Sequence, residues 1–212
     1  MARIRTGYLE AAASAAELLA RPEVDDAWLK GSALPELSVG GLAAHLAWQI
    51  TIIGDVLAAP EPADEPRELY EYYAQVGWIG ADLDEPINVR IREGSEREAL
   101  DGAAVVAHRA AAAAARLRKI LLTVEPRRVR LPSWDGWSLD LDDLLLTRLM
   151  ELVVHADDLA VSVDVPTPQI SQTAAGSVVD LLSRLAIRRH GAVEVVRALS
   201  RPHRTSGPIA AL

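Results

Sequence analysis

Residues 144–159 read LLLTRLMELVVHADDL. The apolar positions recur at the three- and four-residue spacing of a helix that buries a face. Through them runs a second series, Arg148, Glu151, His155 and Asp158, at spacings of three, four and three. That periodicity puts all four on one side of the helix. A bundle seam is ordinarily apolar, and an ionisable group there costs several kcal/mol unless it is paired or bound to a metal. The stripe therefore either serves a site in the bundle or faces water.

Outward from this segment the pattern stays helical. A first helix is expected over about residues 6–20, ended by Pro22, and a loop around residues 31–35. A second helix runs from an N-cap at Ser38 to about residue 59, stopped by Pro60 and Pro62. The acidic residues 61–68 read as a solvated linker. A third helix starts near Arg67. Asp84–Glu85–Pro86 resembles a fresh helix start, but residues 87–92, which also alternate like a strand, read as a bent continuation of the third helix. Ser95 and Glu98 have capping-box spacing, placing the start of a long alanine-rich helix there, to about residue 122. Residues 123–140 form a loop with a turn at Asp135–Gly136. The helix bearing the stripe spans about residues 140–163. A last helical region covers about residues 172–200, interrupted near Gly191, before a loose tail. The expected class is all-α, a four-helix bundle over residues 1–165 with a C-terminal helical extension over 166–212.

Composition limits the chemistry. Half of the 212 residues are apolar, which suits a globular chain. Thirty acidic residues against 22 basic ones give a formal charge of −8, which argues against nucleic acid or an anionic membrane as partner. No cysteine is present, which excludes disulfides, thiolate metal sites and a cysteine nucleophile. The N-terminus lacks a clean apolar signal region, and no stretch of some 18 uncharged apolar residues stands out, so a cytoplasmic protein is expected.

Glu151 and His155, one turn apart, are near enough to share one ion, at about 6 Å between Cβ atoms. A third ligand is available on the second helix, where Leu42, His45, Gln49, Ile52 and Val56 form the inward face. Two imidazoles and one carboxylate suit zinc with an open position, and also nickel, cobalt or iron. Asp158 is placed to orient an imidazole, and Arg148 to pair with Glu151 or with an anionic substrate. The plainer alternative is a solvent-facing pair or a satisfied core histidine. Trp134 and Trp137 either line the pocket mouth or pack on helix ends. Arg127, Arg128 and Arg130 suit a solvated loop better than a substrate site. His108 and His203 stand outside the site.

Residues 148–159 closely resemble the R-x-x-E-x-x-x-H-x-x-D-L signature of the mycothiol-dependent maleylpyruvate isomerase family. Residues 42–46, Leu-Ala-Ala-His-Leu, resemble its other ligand helix. The resemblance implies a DinB-like four-helix bundle with additional C-terminal helices and a metal held by His45, Glu151 and His155. It also implies mycothiol, a low-molecular-weight thiol, as cosubstrate. The thiol would attack a small electrophile, giving isomerisation or conjugation. The chain departs from the family in having Leu37 or Ser38 where a tryptophan is usual, and in having only about 50 residues, read as helices, after the signature where full isomerases carry a larger C-terminal domain. Two alternatives stand beside this reading. One is a hydrolase using water activated by the metal. The other is a bundle that binds metal or ligand without catalysis. An apolar face in the C-terminal region either seals the bundle or forms a homodimer.

Overall fold

The computed structural model describes residues 2–212. Its helices, in chain order, are α1 (Ala2–Leu19), α2 (Pro22–Asp26), α3 (Val39–Ala58), α4 (Leu69–Gln75), α5 (Pro86–Ala99), α6 (Ala103–Ile120), α7 (Leu141–Ser162), α8 (Gln172–His190) and α9 (Ala192–Ser200). The four long helices α1, α3, α6 and α7 pack in a ring, with α1 and α3 each touching both α6 and α7. Leu42, Leu46, Ile50 and Ile53 of α3 meet Leu144, Leu145 and Leu149 of α7 in a core that also takes in Tyr8 and Leu117. The expected all-α, DinB-like bundle is the observed architecture, and α8 packs on α1 and α7 as an added layer.

The signals around α3 act as read. The Ser38 hydroxyl accepts from Gly41 N at 2.8 Å, and the helix ends before Pro60. A clamp from α5 strengthens the cap. Glu96 accepts from Ser38 N at 2.7 Å and from the Ser38 hydroxyl at 2.8 Å. A Cβ on Gly41 would sit 2.6 Å from a Glu96 oxygen, so glycine lets the clamp close. By length and composition alone α3 is long and apolar enough to cross a membrane, although it carries His45, Gln49 and Asp55. Its hydropathy follows from being the central helix of the bundle, buried along most of its length.

Five expectations are corrected. Residues 87–92 lie in a separate helix, α5, with Pro86 in its first turn, where a missing N–H costs nothing. The third helix is only the short α4. Ser95 and Glu98 do not open the alanine-rich helix. They lie inside α5, and α6 begins after Gly102, whose φ of 83° suits glycine. The loop over residues 123–140 contains a two-residue antiparallel pair, β1 (Arg128–Val129) and β2 (Leu139–Asp140). The acidic segment 61–68 is not simply solvated. Arg128 bonds Glu61 at 3.1 Å, Arg130 pairs with Asp64, and Arg67 N donates to Ser138 O at 2.9 Å. Arg127 donates to Leu57 O and Ala59 O, at 3.2 and 2.8 Å, covering the negative end of α3. All three loop arginines are thus spent on structure.

At the other end of the chain, α8 and α9 meet at Gly191, with φ 85°. Arg188 donates to Tyr70 O at 2.7 Å, tying α8 to α4. His190 Nε2 lies 2.7 Å from Ala210 O, and Ala211 and Leu212 pack against the core. The outer side of α9 leaves Val193, Val196 and Leu199 exposed.

Candidate metal centre

The contact of α3 with α7 brings His45, Glu151 and His155 together. One donor atom from each lies within 4.8 Å of the others. Glu151 Oε2 is 3.0 Å from His155 Nε2 and 3.9 Å from His45 Nε2. The two imidazoles stand edge to face, with centroids 4.9 Å apart. Two donors on one zinc, each about 2.1 Å away, span at most about 4.2 Å. The observed spread is close to that, and the donor set is one that zinc accepts.

Each imidazole is aimed by a further residue. Asp158 Oδ2 is 3.0 Å from His155 Nδ1, so this ring turns Nε2 toward Glu151. Ser95 donates its hydroxyl proton to Ile91 O at 2.8 Å, which leaves an oxygen lone pair 3.4 Å from His45 Nδ1. The proton on His45 therefore belongs on Nδ1, and Nε2 carries the inward lone pair. The Gln49 amide nitrogen approaches that Nε2 at 3.1 Å and also donates to His45 O. Arg148 Nη1 in turn donates to Gln49 Oε1 at 2.7 Å, so a buried chain runs from Arg148 through Gln49 to His45.

The charges are strongly coupled. Burial by itself would raise the Glu151 carboxyl. The hydrogen bond from His155, the nearby His45 ring and the Arg148 charge hold it well below the usual range instead. Burial lowers His155, but Asp158 and Glu151 outweigh it and raise this imidazole to about 9. Burial also lowers His45, which keeps that ring neutral and fit to ligate. Arg148 is almost wholly buried. It does not pair directly with Glu151, since among the described residues no carboxylate lies within 4.0 Å of it. It lies instead between Gln49, Thr147 and the face of Trp48, whose centroid is 5.7 Å from the guanidinium carbon.

An aromatic wall forms around Tyr72. Trp134 and Trp137 stack at 3.8 Å, and Tyr72 tilts against both, at 5.3 and 5.4 Å. The rings of Tyr72 and Tyr73 meet at 4.9 Å. His108 and His203 are exposed and away from the cluster.

The sequence reading missed two participants. Gln49 had a signal, an amide one helical turn after His45 on the inward face. Ser95 had none, because it comes from α5 and meets the cluster only through tertiary packing.

A four-helix bundle with a His, Glu, His cluster between its second and fourth long helices defines a class of helical metal-binding proteins. Residues 8–160 match the family described as the mycothiol maleylpyruvate isomerase N-terminal domain, and the chain belongs to that family. The match takes in α3 and nearly all of α7, and stops before α8 and α9. No curated protein and no solved structure matches the chain significantly.

Proposed function

We propose that the protein is a metal-dependent enzyme that uses a low-molecular-weight thiol, mycothiol, to conjugate or isomerise a small electrophile in the cytoplasm. The observation that carries this reading is the convergence of His45 Nε2, Glu151 Oε2 and His155 Nε2 on one point between α3 and α7. Membership of a family named for a mycothiol-dependent isomerase supports the thiol. His45, Glu151 and His155 would hold the ion, with zinc the best match to two imidazoles and one carboxylate. A divalent cation there supplies Lewis acidity, which lowers the proton affinity of a thiol that reaches it.

The remaining work falls to the chain. Asp158 keeps the His155 ring turned inward, and Ser95 does the same for His45. Arg148, locked by Gln49, sets a positive field that favours an anionic group nearby. The wall of Trp134, Trp137 and Tyr72 offers apolar surface to the carbon skeleton of a substrate.

Elemental analysis of the purified protein, beside Glu151→Ala and His155→Ala, tests the reading. About one equivalent of divalent metal is expected in the parent and little in either variant. The parent should then consume electrophiles such as epoxides or activated alkenes only when a thiol is added. Metal-dependent turnover without any thiol would replace this reading with hydrolysis, and a metal-free parent after reconstitution would overturn it.

A further inference from the structure

The Gln49 side chain is wholly buried, and its two ends are fixed by different partners. Arg148 has donors only, and its Nη1 lies 2.7 Å from one end of Gln49, so that end is the carbonyl. The other end is therefore the amide. It donates to His45 O at 3.2 Å and lies 3.1 Å from His45 Nε2. An amide nitrogen has no lone pair to offer, so at that distance it donates to the imidazole. The Ser95 oxygen at Nδ1, on the far side of the ring, agrees with this assignment.

Arg148 also makes this donor stronger. The guanidinium is itself buried, resting on Thr147 Oγ1 at 3.1 Å and on the face of Trp48. A cation on the carbonyl end of an amide polarises the N–H at the opposite end. The polarised N–H points at the nitrogen of His45 that converges with Glu151 and His155. An imidazole nitrogen has a single lone pair, so an N–H and a cation cannot both use it.

We propose that Gln49 is a latch on the metal centre. In the metal-free protein its amide occupies the lone pair with which His45 would ligate, and the ion is held only when that hydrogen bond is given up. Gln49 is then a positioning residue. It presets the His45 ring, and it lowers the affinity of the site so that the ion stays exchangeable. This rests on the metal reading above, and the two can fail separately.

The first test measures zinc affinity of the parent and of Gln49→Leu by competition with a chromophoric chelator. Leucine cannot donate, so the variant should bind zinc about tenfold more tightly, the size of one hydrogen bond that no longer has to be broken. A glutamine that only braced the fold would give the opposite sign. Equal or weaker binding in a folded variant overturns the proposal.

Leucine also leaves Arg148 without this partner, so a second measurement uses the parent alone. Nitrogen-15 NMR of the labelled, metal-free protein should show a coupling between Gln49 Nε2 and His45 Nε2 across the hydrogen bond. Saturating zinc should abolish it. A coupling that persists in the zinc-loaded protein, or that is missing before zinc is added, overturns the latch and leaves the metal reading standing. A parent that takes up no zinc overturns the metal reading and the latch with it.

Discussion

At the scale of single residues, the cluster depends on rings that cannot turn. His155 uses Nδ1 on Asp158 and presents Nε2 to Glu151, so one carboxylate decides which nitrogen faces the site. Asp158→Asn retains the shape and removes the charge. It should weaken zinc binding by roughly 10- to 100-fold, read by competition with a chromophoric chelator, while thermal stability of the metal-free protein changes little. An unchanged affinity would mean that Asp158 does not orient the ligand. Gln49 shows a different dependence. It links Arg148 to His45 and is wholly buried, so the arginine and the ligand ring are positioned together.

The informative element is α7, which carries two of the three cluster residues and opens on an acidic turn. Its middle bears Glu151 and His155, and its first turn gathers negative charge. Asp142 and Asp143 follow Asp140, and Glu68 of the preceding segment adds its field at Asp143. A helix N-terminus welcomes one carboxylate, but burial together with Asp140, Glu68 and Asp142 raises Asp143 to about 6. The folded state therefore holds this proton more tightly than the unfolded chain, whose value is near 3.8. Stability is greatest below about pH 4 as far as this group is concerned, and falls as pH rises through about 6. Asp143→Asn imitates the protonated form. It should melt above the parent at pH 8 and converge with it at pH 4, and equal melting temperatures at pH 8 would refute the assignment.

Across the whole molecule, three crosslinks of charge hold the bundle ends. Arg5 of α1 is buried and bonds Asp142 of α7 at 2.7 Å, Leu121 O at 3.2 Å, and Val124 O. Arg127 closes the end of α3, and Arg188 joins α8 to α4. Removing one partner of a buried pair strands the other, so Arg5→Ala should lower the unfolding free energy by about 3 kcal/mol in urea titrations. Arg21→Ala, which breaks an exposed pair with Glu23, should leave the midpoint where it was. Comparable losses in the two variants would remove Arg5 from this role.

Local periodicity determined most of what the bundle needs. The apolar spacing set the long helices, Ser38 and the prolines set the ends of α3, and the stripe on α7 put Glu151, His155 and Asp158 on one face, because a helix repeats every 3.6 residues whatever surrounds it. Tertiary structure alone decided the rest. Only packing could show that Ser95 sits in the middle of α5 beside His45, since capping-box spacing also occurs inside helices. Packing alone turned Arg148 toward Gln49 and away from direct contact with Glu151, and bound the acidic segment 61–68 to the loop arginines. These contacts join residues tens of positions apart, and no short-range pattern records which of several charged or polar groups a long side chain will meet.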